Sequence, residues 1–306
     1  MTLRAARRGL LAFVAVGGWL AVSQAALAAP TSTATSTPGA TPSAGPKATK
    51  TKPGAKAKGG KAAAGRGMSA DTLEKLRADL NADSDMPALA AAKQLGASGA
   101  PNASGPLIEV LAVGARPSVA SAAIEALGSL KDSKAFDVLE IYAGNRNAEV
   151  RSRALRALGA IPDARAADVL LARLGDTAPD VRAVAAETLA ERKEAKAEPR
   201  LYELVKRNDS GAAAPLGILA TPDTIARLAE LQGRVDDNVL ATTLGEYLKR
   251  DVLDKLRLEV VVALGKIPGA GATTALVEYL ATVPEKEDRP SEAEAQKIID
   301  QRSTAK

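Results

Sequence analysis

Glu149-Val150-Arg151-Ser152-Arg153-Ala154-Leu155-Arg156-Ala157-Leu158-Gly159-Ala160-Ile161-Pro162-Asp163, continued by Ala166-Ala167-Asp168-Val169-Leu170, is the stretch from which the fold is read. Val150, Ala154, Leu155 and Leu158 fall at i, i+4, i+5 and i+8, the spacing that gathers apolar side chains on one face of a helix. Gly159 follows as a breaker near the helix end. Asp163, directly after Pro162, has the side chain to cap a second helix, on whose face Leu170 and Leu174 meet. The segment therefore predicts a unit of two short helices.

That unit recurs. The Leu-Gly step returns as Leu95-Gly96, Leu127-Gly128, Leu158-Gly159, Leu189-Ala190, Leu219-Ala220 and, after an insertion, Leu264-Gly265, with first intervals of 32, 31, 31 and 30. The second helices repeat through Leu107, Leu139, Leu170 and Leu201, then Leu228 and Leu276. A period of this length is the mark of stacked helical repeats, each too small to bury its own apolar face. An extra helix, Asp236 to Lys249, interrupts the period and carries Leu244-Gly245 as a degenerate copy. At the ends, Leu73, Leu76 and Leu80 predict a helix starting near Ser69 or Asp71. Ser291-x-x-Glu294, a capping-box pattern ahead of Ala295, Ile298 and Ile299, predicts a closing one.

The run Glu149 to Asp163 with Ala166 to Leu174, and its second copy from Pro179-Asp180-Val181-Arg182 through Leu189, resembles the HEAT-like repeat of the bilin-lyase type. The resemblance covers residues 86–283 and implies an all-α fold, an α-solenoid of helical pairs. Members of that lineage include lyases, DNA-processing proteins and scaffolds, so it implies a fold more narrowly than a function.

Composition agrees and excludes much chemistry. The chain is 46% apolar but only 2% aromatic, and Phe13 and Trp19 both lie near the N-terminus, ahead of Pro30, so the core must be packed from Ala, Leu, Val and Ile. There is no cysteine and no histidine. Disulfides, thiolate nucleophiles, imidazole catalysis and thiolate or imidazole metal sites are thereby excluded, and no cofactor is expected. The net charge of +5 divides unevenly. Residues 1–67 hold ten Lys or Arg and no acid, which leaves 31 basic against 36 acidic residues in the remainder.

At the N-terminus, Arg4, Arg7 and Arg8 precede an apolar run from Gly9 to Val22, and Ala26-Leu27-Ala28 is a small-x-small cleavage pattern, so residues 1–28 are read as a secretory signal peptide. Residues 29–67, rich in Pro, Thr, Ser and Lys, are expected to be a disordered linker because they hold too little apolar surface to offset chain entropy. They are followed by the solenoid over 68–283 and a C-terminal capping helix and tail over 284–306. The mature chain is expected to be periplasmic or secreted and without a transmembrane segment. The Lys-rich part, Lys47 to Lys61, is either a spacer or a contact to an anionic envelope surface.

Arg151, Arg182 and Arg257 each stand seven residues before a repeat leucine. They read as an anion-binding row or, the preferred reading, as a structural ladder paired with Asp132, Asp163 and Asp180. Glu109, Glu203, Glu230 and Glu278 lie two residues after the second-helix leucine, with Glu140 one place earlier. Stacking would align them into a ridge facing a basic partner, or they are an ordinary solvated face. Tyr202, like Tyr142 and Tyr279, is either an interface anchor or a packing residue. The acidic repeats, short of aromatics, speak against nucleic acid. The expectation is an exported, non-catalytic scaffold for a protein partner. A lyase or chaperone-type enzyme, or a binder of anionic envelope polymer through the linker, are the alternatives.

Overall fold

The computed structural model describes residues 67–283 and 289–304, so the segments read as signal peptide and linker, Lys47 to Lys61 included, lie outside the described residues apart from Gly67. Fifteen α-helices follow one another among the described residues. They are α1 (Ala70–Leu80), α2 (Asp85–Ser98), α3 (Ser104–Val113), α4 (Pro117–Leu130), α5 (Phe136–Ala143), α6 (Ala148–Ala160), α7 (Arg165–Arg173) and α8 (Pro179–Glu191). The series continues with α9 (Glu198–Lys206), α10 (Ala213–Leu219), α11 (Pro222–Ala229), α12 (Asp237–Leu248), α13 (Asp254–Lys266), α14 (Ala270–Thr282) and α15 (Pro290–Thr304). The all-α solenoid expected from the repeats is the fold observed.

Local chemistry sets the helix starts. Ser69, Asn147, Thr221 and Asp236 each accept a backbone N–H of the first turn of α1, α6, α11 and α12, satisfying donors that have no partner within the helix. Asp163 accepts the Arg165 N–H at 2.9 Å, but the N-cap of α7 is Ala164, so Asp163 closes the turn one residue ahead of the helix and is not its cap. Ser291 is not a cap either. It lies inside α15, and its hydroxyl contacts Asp254 of α13 and Tyr279 of α14 instead of forming a capping box, which ties the last helix to the two beneath it.

The helices stack in two layers. α2, α4, α6, α8, α10, α12 and α14 pack one upon the next, and α1, α3, α5, α7, α9, α11, α13 and α15 form the second layer behind them. Apolar residues pointing between the layers are buried from Leu76 to Ile299. The Leu-Gly step explains the tight spacing of the first layer. A Cβ built on Gly96 would stand 2.8 Å from Ala126 Cα and Cβ, one on Gly128 3.0 Å from Ala157 Cα, and one on Gly245 2.9 Å from Ala275 Cβ. Gly159, expected to break its helix, lies within α6 and faces Thr188 of α8 in the same way. These glycines let neighbouring backbones approach; they do not end helices.

The same contacts correct the register beyond α8. Gly217 of α10 meets Thr243 and Glu246 of α12, so the repeat step there is Leu216-Gly217 and not Leu219-Ala220. The helix read as an insertion, α12, is a full member of the first layer. Because α10 spans only Ala213–Leu219, the steps from Leu189 to Leu216 and from Leu216 to Leu244 are each shorter than the earlier ones by about one helical turn. Leu228 keeps its place on a second-layer helix, α11, but reading α12 as an insertion shifted the assignments after it by one helix. Leu264-Gly265 therefore belongs to α13 in the second layer, and Leu276 to α14 in the first.

Candidate binding surfaces

The arginine ladder exists with different partners. Arg151 grips Asp176 with two parallel bonds, Nε to Oδ2 at 2.9 Å and Nη2 to Oδ1 at 2.7 Å, and Arg182 reaches Asp209 at 2.6 Å. Each arginine also donates to carbonyls of the loop before its own helix: Arg151 to Asn145 and Arg146, Arg182 to Asp176 and Thr177. Asp176 in turn accepts the Ala178 N–H, and Asp209 that of Gly211. Burial pushes the Asp176 carboxyl up, but the Arg151 bonds and the Ala178 N–H outweigh it and hold the group below the ordinary carboxylate range.

Asp132, Asp163 and Asp180 do not pair with these arginines, and the reason is positional. Arg151 and Arg182 sit near the starts of first-layer helices, whereas Asp132 and Asp163 follow the ends of theirs. Asp132 accepts the Ser104 hydroxyl at 2.5 Å and the Lys134 N–H; Asp163 pairs with Arg165. Asp180 is at the right end but exposed, in the first turn of α8. Arg257, although in the same sequence register, lies on α13 in the other layer, bonded to the Arg250 carbonyl at 3.0 Å and 3.7 Å from the exposed Asp251. The signal for the true partners is the Asp or Asn that opens each loop between pairs, as in Asp176-Thr177-Ala178-Pro179.

A second arginine row was not anticipated from sequence. Arg192 donates to the carbonyls of Gly159, Ile161 and Asp163, each at 2.9 Å. Arg250 does so to Ala220, and Arg302 to Leu264, Gly265 and Ile267. Each caps the end of the helix stacked before its own, meeting acceptors that the helix leaves open. Both rows are therefore occupied in joining repeats.

The glutamates are on the surface but do not form one ridge. Glu109, Glu140, Glu203 and Glu230 belong to α3, α5, α9 and the end of α11 in the second layer, while Glu278 is on α14 in the first. Glu109 pairs with Arg77 at 2.8 Å, Glu203 with Lys206 at 3.1 Å and Glu278 with Lys249 at 3.2 Å. In the true column, two residues after the second-helix leucine, Ile141 and Ala172 stand between Glu109 and Glu203. Glu140 is off the column by one position. Tyr202 is buried, with the Arg227 guanidinium 4.1 Å from its ring centre, so it packs α9 against α11 and offers no anchor. Tyr142 donates to the Leu111 carbonyl at 3.1 Å, and Tyr279 meets Ser291 at 2.6 Å.

What remains open to a ligand is broad and shallow. On the first layer a groove of 450 Å³ runs between α4 and α6, floored by Gly128, Ala157 and Ala160 and walled by Glu125, Glu149, Arg153 and Arg156. Arg153 is held by Glu125 across that groove and by Glu149 one turn away on its own helix. On the second layer, Val113 and Ile141 are 89% and 72% exposed. No group of His, Cys, Asp or Glu suited to a metal ion occurs among the described residues, and no described helix is long and apolar enough to cross a membrane.

The repeats are HEAT repeats: the family profile of that description matches residues 73–158, 104–190 and 136–216. No curated protein matches the chain. Among solved structures, the chain is similar to the complex of CpcE and CpcF of phycocyanin lyase from Nostoc sp., at 20% identity over 80% of this chain and 99% of that one, TM-score 0.42. It is also similar to a designed armadillo repeat protein, at 17% identity over 74% and 99%, TM-score 0.35. An archaeal HEAT-like repeats protein from Thermococcus onnurineus matches at 17% identity over 78% and 99%, TM-score 0.34. Similarity of this degree does not extend to activity or ligand.

Proposed function

We propose that the chain is an exported, non-catalytic HEAT-repeat scaffold that holds a protein partner on the surface of its solenoid. The supporting observation is how its polar groups are employed. Arg151, Arg182, Tyr142 and Tyr202, which stand out in the sequence, join neighbouring repeats, the two arginines through Asp176 and Asp209, and the surface left over is extended and shallow. Such a surface suits a macromolecule better than a small substrate, which asks for concave enclosure. The lack of histidine and cysteine in the whole sequence agrees. Export rests on the basic residues, apolar run and small-x-small site between Met1 and Ala28, and the Lys-rich segment Lys47 to Lys61 adds a salt-sensitive attraction to an anionic envelope surface.

The test is photo-crosslinking in the native cells, with the crosslinker placed in turn on the first-layer groove, the second-layer face and the Lys-rich segment. A defined protein captured from one of the two solenoid faces, in an envelope or extracellular fraction, is the expected result. Capture from the Lys-rich segment alone, or no capture at all, would defeat the scaffold reading.

A further inference from the structure

The apolar break in the second-layer acidic column is the feature that the joining of repeats does not use. Val113 ends α3, and Ile141 lies on α5, the helix packed beside it. Tyr142 fastens the two, its hydroxyl bonded to the Leu111 carbonyl just before Val113. Ala172 of α7 continues the step, exposed in the same column one repeat on. An exposed isoleucine and valine on adjacent helices, in a protein whose other large aliphatic side chains are mostly buried, mark an interaction surface more than chance exposure.

The charges around the step choose the occupant. Arg77, Arg165 and Lys206, cations of the neighbouring second-layer helices, are each paired with a carboxylate, Glu109, Asp137 and Asp163, or Glu203. Arg200 donates to the Leu171 carbonyl at the end of α7, and Arg173 turns its guanidinium toward Gly144, where it acts on Asp176. Glu140 and Asp168, both exposed beside the step, form no ion pair among the described residues. An apolar step with unspent negative charge on its flanks is complementary to an apolar anchor flanked by positive charge. A second copy of the chain fits less well, because a two-fold contact through the step would bring the unpaired carboxylates of both copies into one interface without adding a free cation for them.

We propose that Ile141, Val113 and Ala172, framed by Glu140 and Asp168, seat a basic amphipathic segment of the partner protein, its aliphatic or aromatic anchor on the step and its Lys or Arg side chains on the two carboxylates. This rests on the scaffold reading and gives that reading a place and a partner chemistry.

The experiment uses the mature protein and a fluorescent helical peptide carrying a leucine stripe flanked by lysines, with two controls: its lysines replaced by glutamates, and its leucines replaced by serines. Anisotropy titration is expected to show binding of the first peptide and binding at least about tenfold weaker for each control. Ile141→Ser and the pair Glu140→Lys, Asp168→Lys should each weaken the first peptide about tenfold, since burying one aliphatic side chain or losing a charge pair is of that order. All three substitutions are at exposed positions, and an unchanged melting temperature verifies the fold. Equal binding of the controls, or binding indifferent to the substitutions, overturns the proposal. Sedimentation that shows self-association abolished by Ile141→Asp also overturns it, by giving the step to a second copy. The native-cell crosslinking, repeated with Ile141→Ser, separates the two levels of the argument. A partner captured equally well refutes this site and leaves the scaffold standing, whereas a chain that captures nothing in either form loses both.

Discussion

Replacing Gly217 by alanine isolates the physical reason for the Leu-Gly step. In an exposed helix the change would stabilise, because alanine is favoured over glycine by roughly 0.5–1 kcal/mol. At Gly217 the new methyl would meet the Thr243 carbonyl and stand 2.7 Å from Glu246 Cβ, both on α12. A backbone carbonyl has no rotamer by which to yield, so α10 and α12 must separate. Overpacking of this kind costs about 1–3 kcal/mol, and after the propensity gain the net loss should be about 1–2 kcal/mol. For a folded part of this size that corresponds to a melting temperature lower by about 2–8 °C. Gly105 provides the internal control. It lies in α3 with nothing within 4 Å of an added Cβ, so Gly105→Ala should be neutral or stabilising by about 0.5 kcal/mol. Thermal and urea unfolding followed by circular dichroism read both variants. If Gly217→Ala were as stable as Gly105→Ala, the close-approach argument would be wrong.

Two further outcomes follow from the inter-repeat polar network. Asp176→Ala leaves the nearly buried Arg151 unpaired and should cost about 2–4 kcal/mol at neutral pH; the cost should be largely non-additive with Arg151→Met in a double-mutant cycle. Because the folded state holds Asp176 below the ordinary carboxylate range, its contribution is complete above that range and is lost as the pH falls from it through the lower pKa of the folded state. The gap between wild type and Asp176→Ala should therefore close on acidification, and a gap that widens would contradict the assignment. Arg192→Ala removes three charge-assisted bonds to the end of α6 and should cost about 2–3 kcal/mol. Hydrogen exchange should show the loss concentrated at the amides of α6 and α8, and a uniform loss along the stack would speak against local capping.

The amphipathic spacing from Val150 to Leu158, returning at each Leu-Gly step from Leu95 onward, determined by itself that the chain is a stack of helical pairs. That much is legible because burial of a helix face is a local pattern and repetition leaves a unique way to cover it. The absence of histidine and cysteine equally settled which chemistries are closed to it. Only the tertiary structure decided the register after α8. A period shortened by one turn at α10 looks in sequence like an insertion, and the contact of Gly217 with α12 reveals it as a repeat. It also decided which aspartate meets which arginine. Arg151 can find an aspartate in several loops by sequence separation alone, but only Asp176 lies at the same end of the stacked helices, within bonding distance. The surface was least legible. An exposed Ile141 and a buried Leu139 differ by two positions on one helix, and which of them faces outward depends on where the neighbouring helices lie.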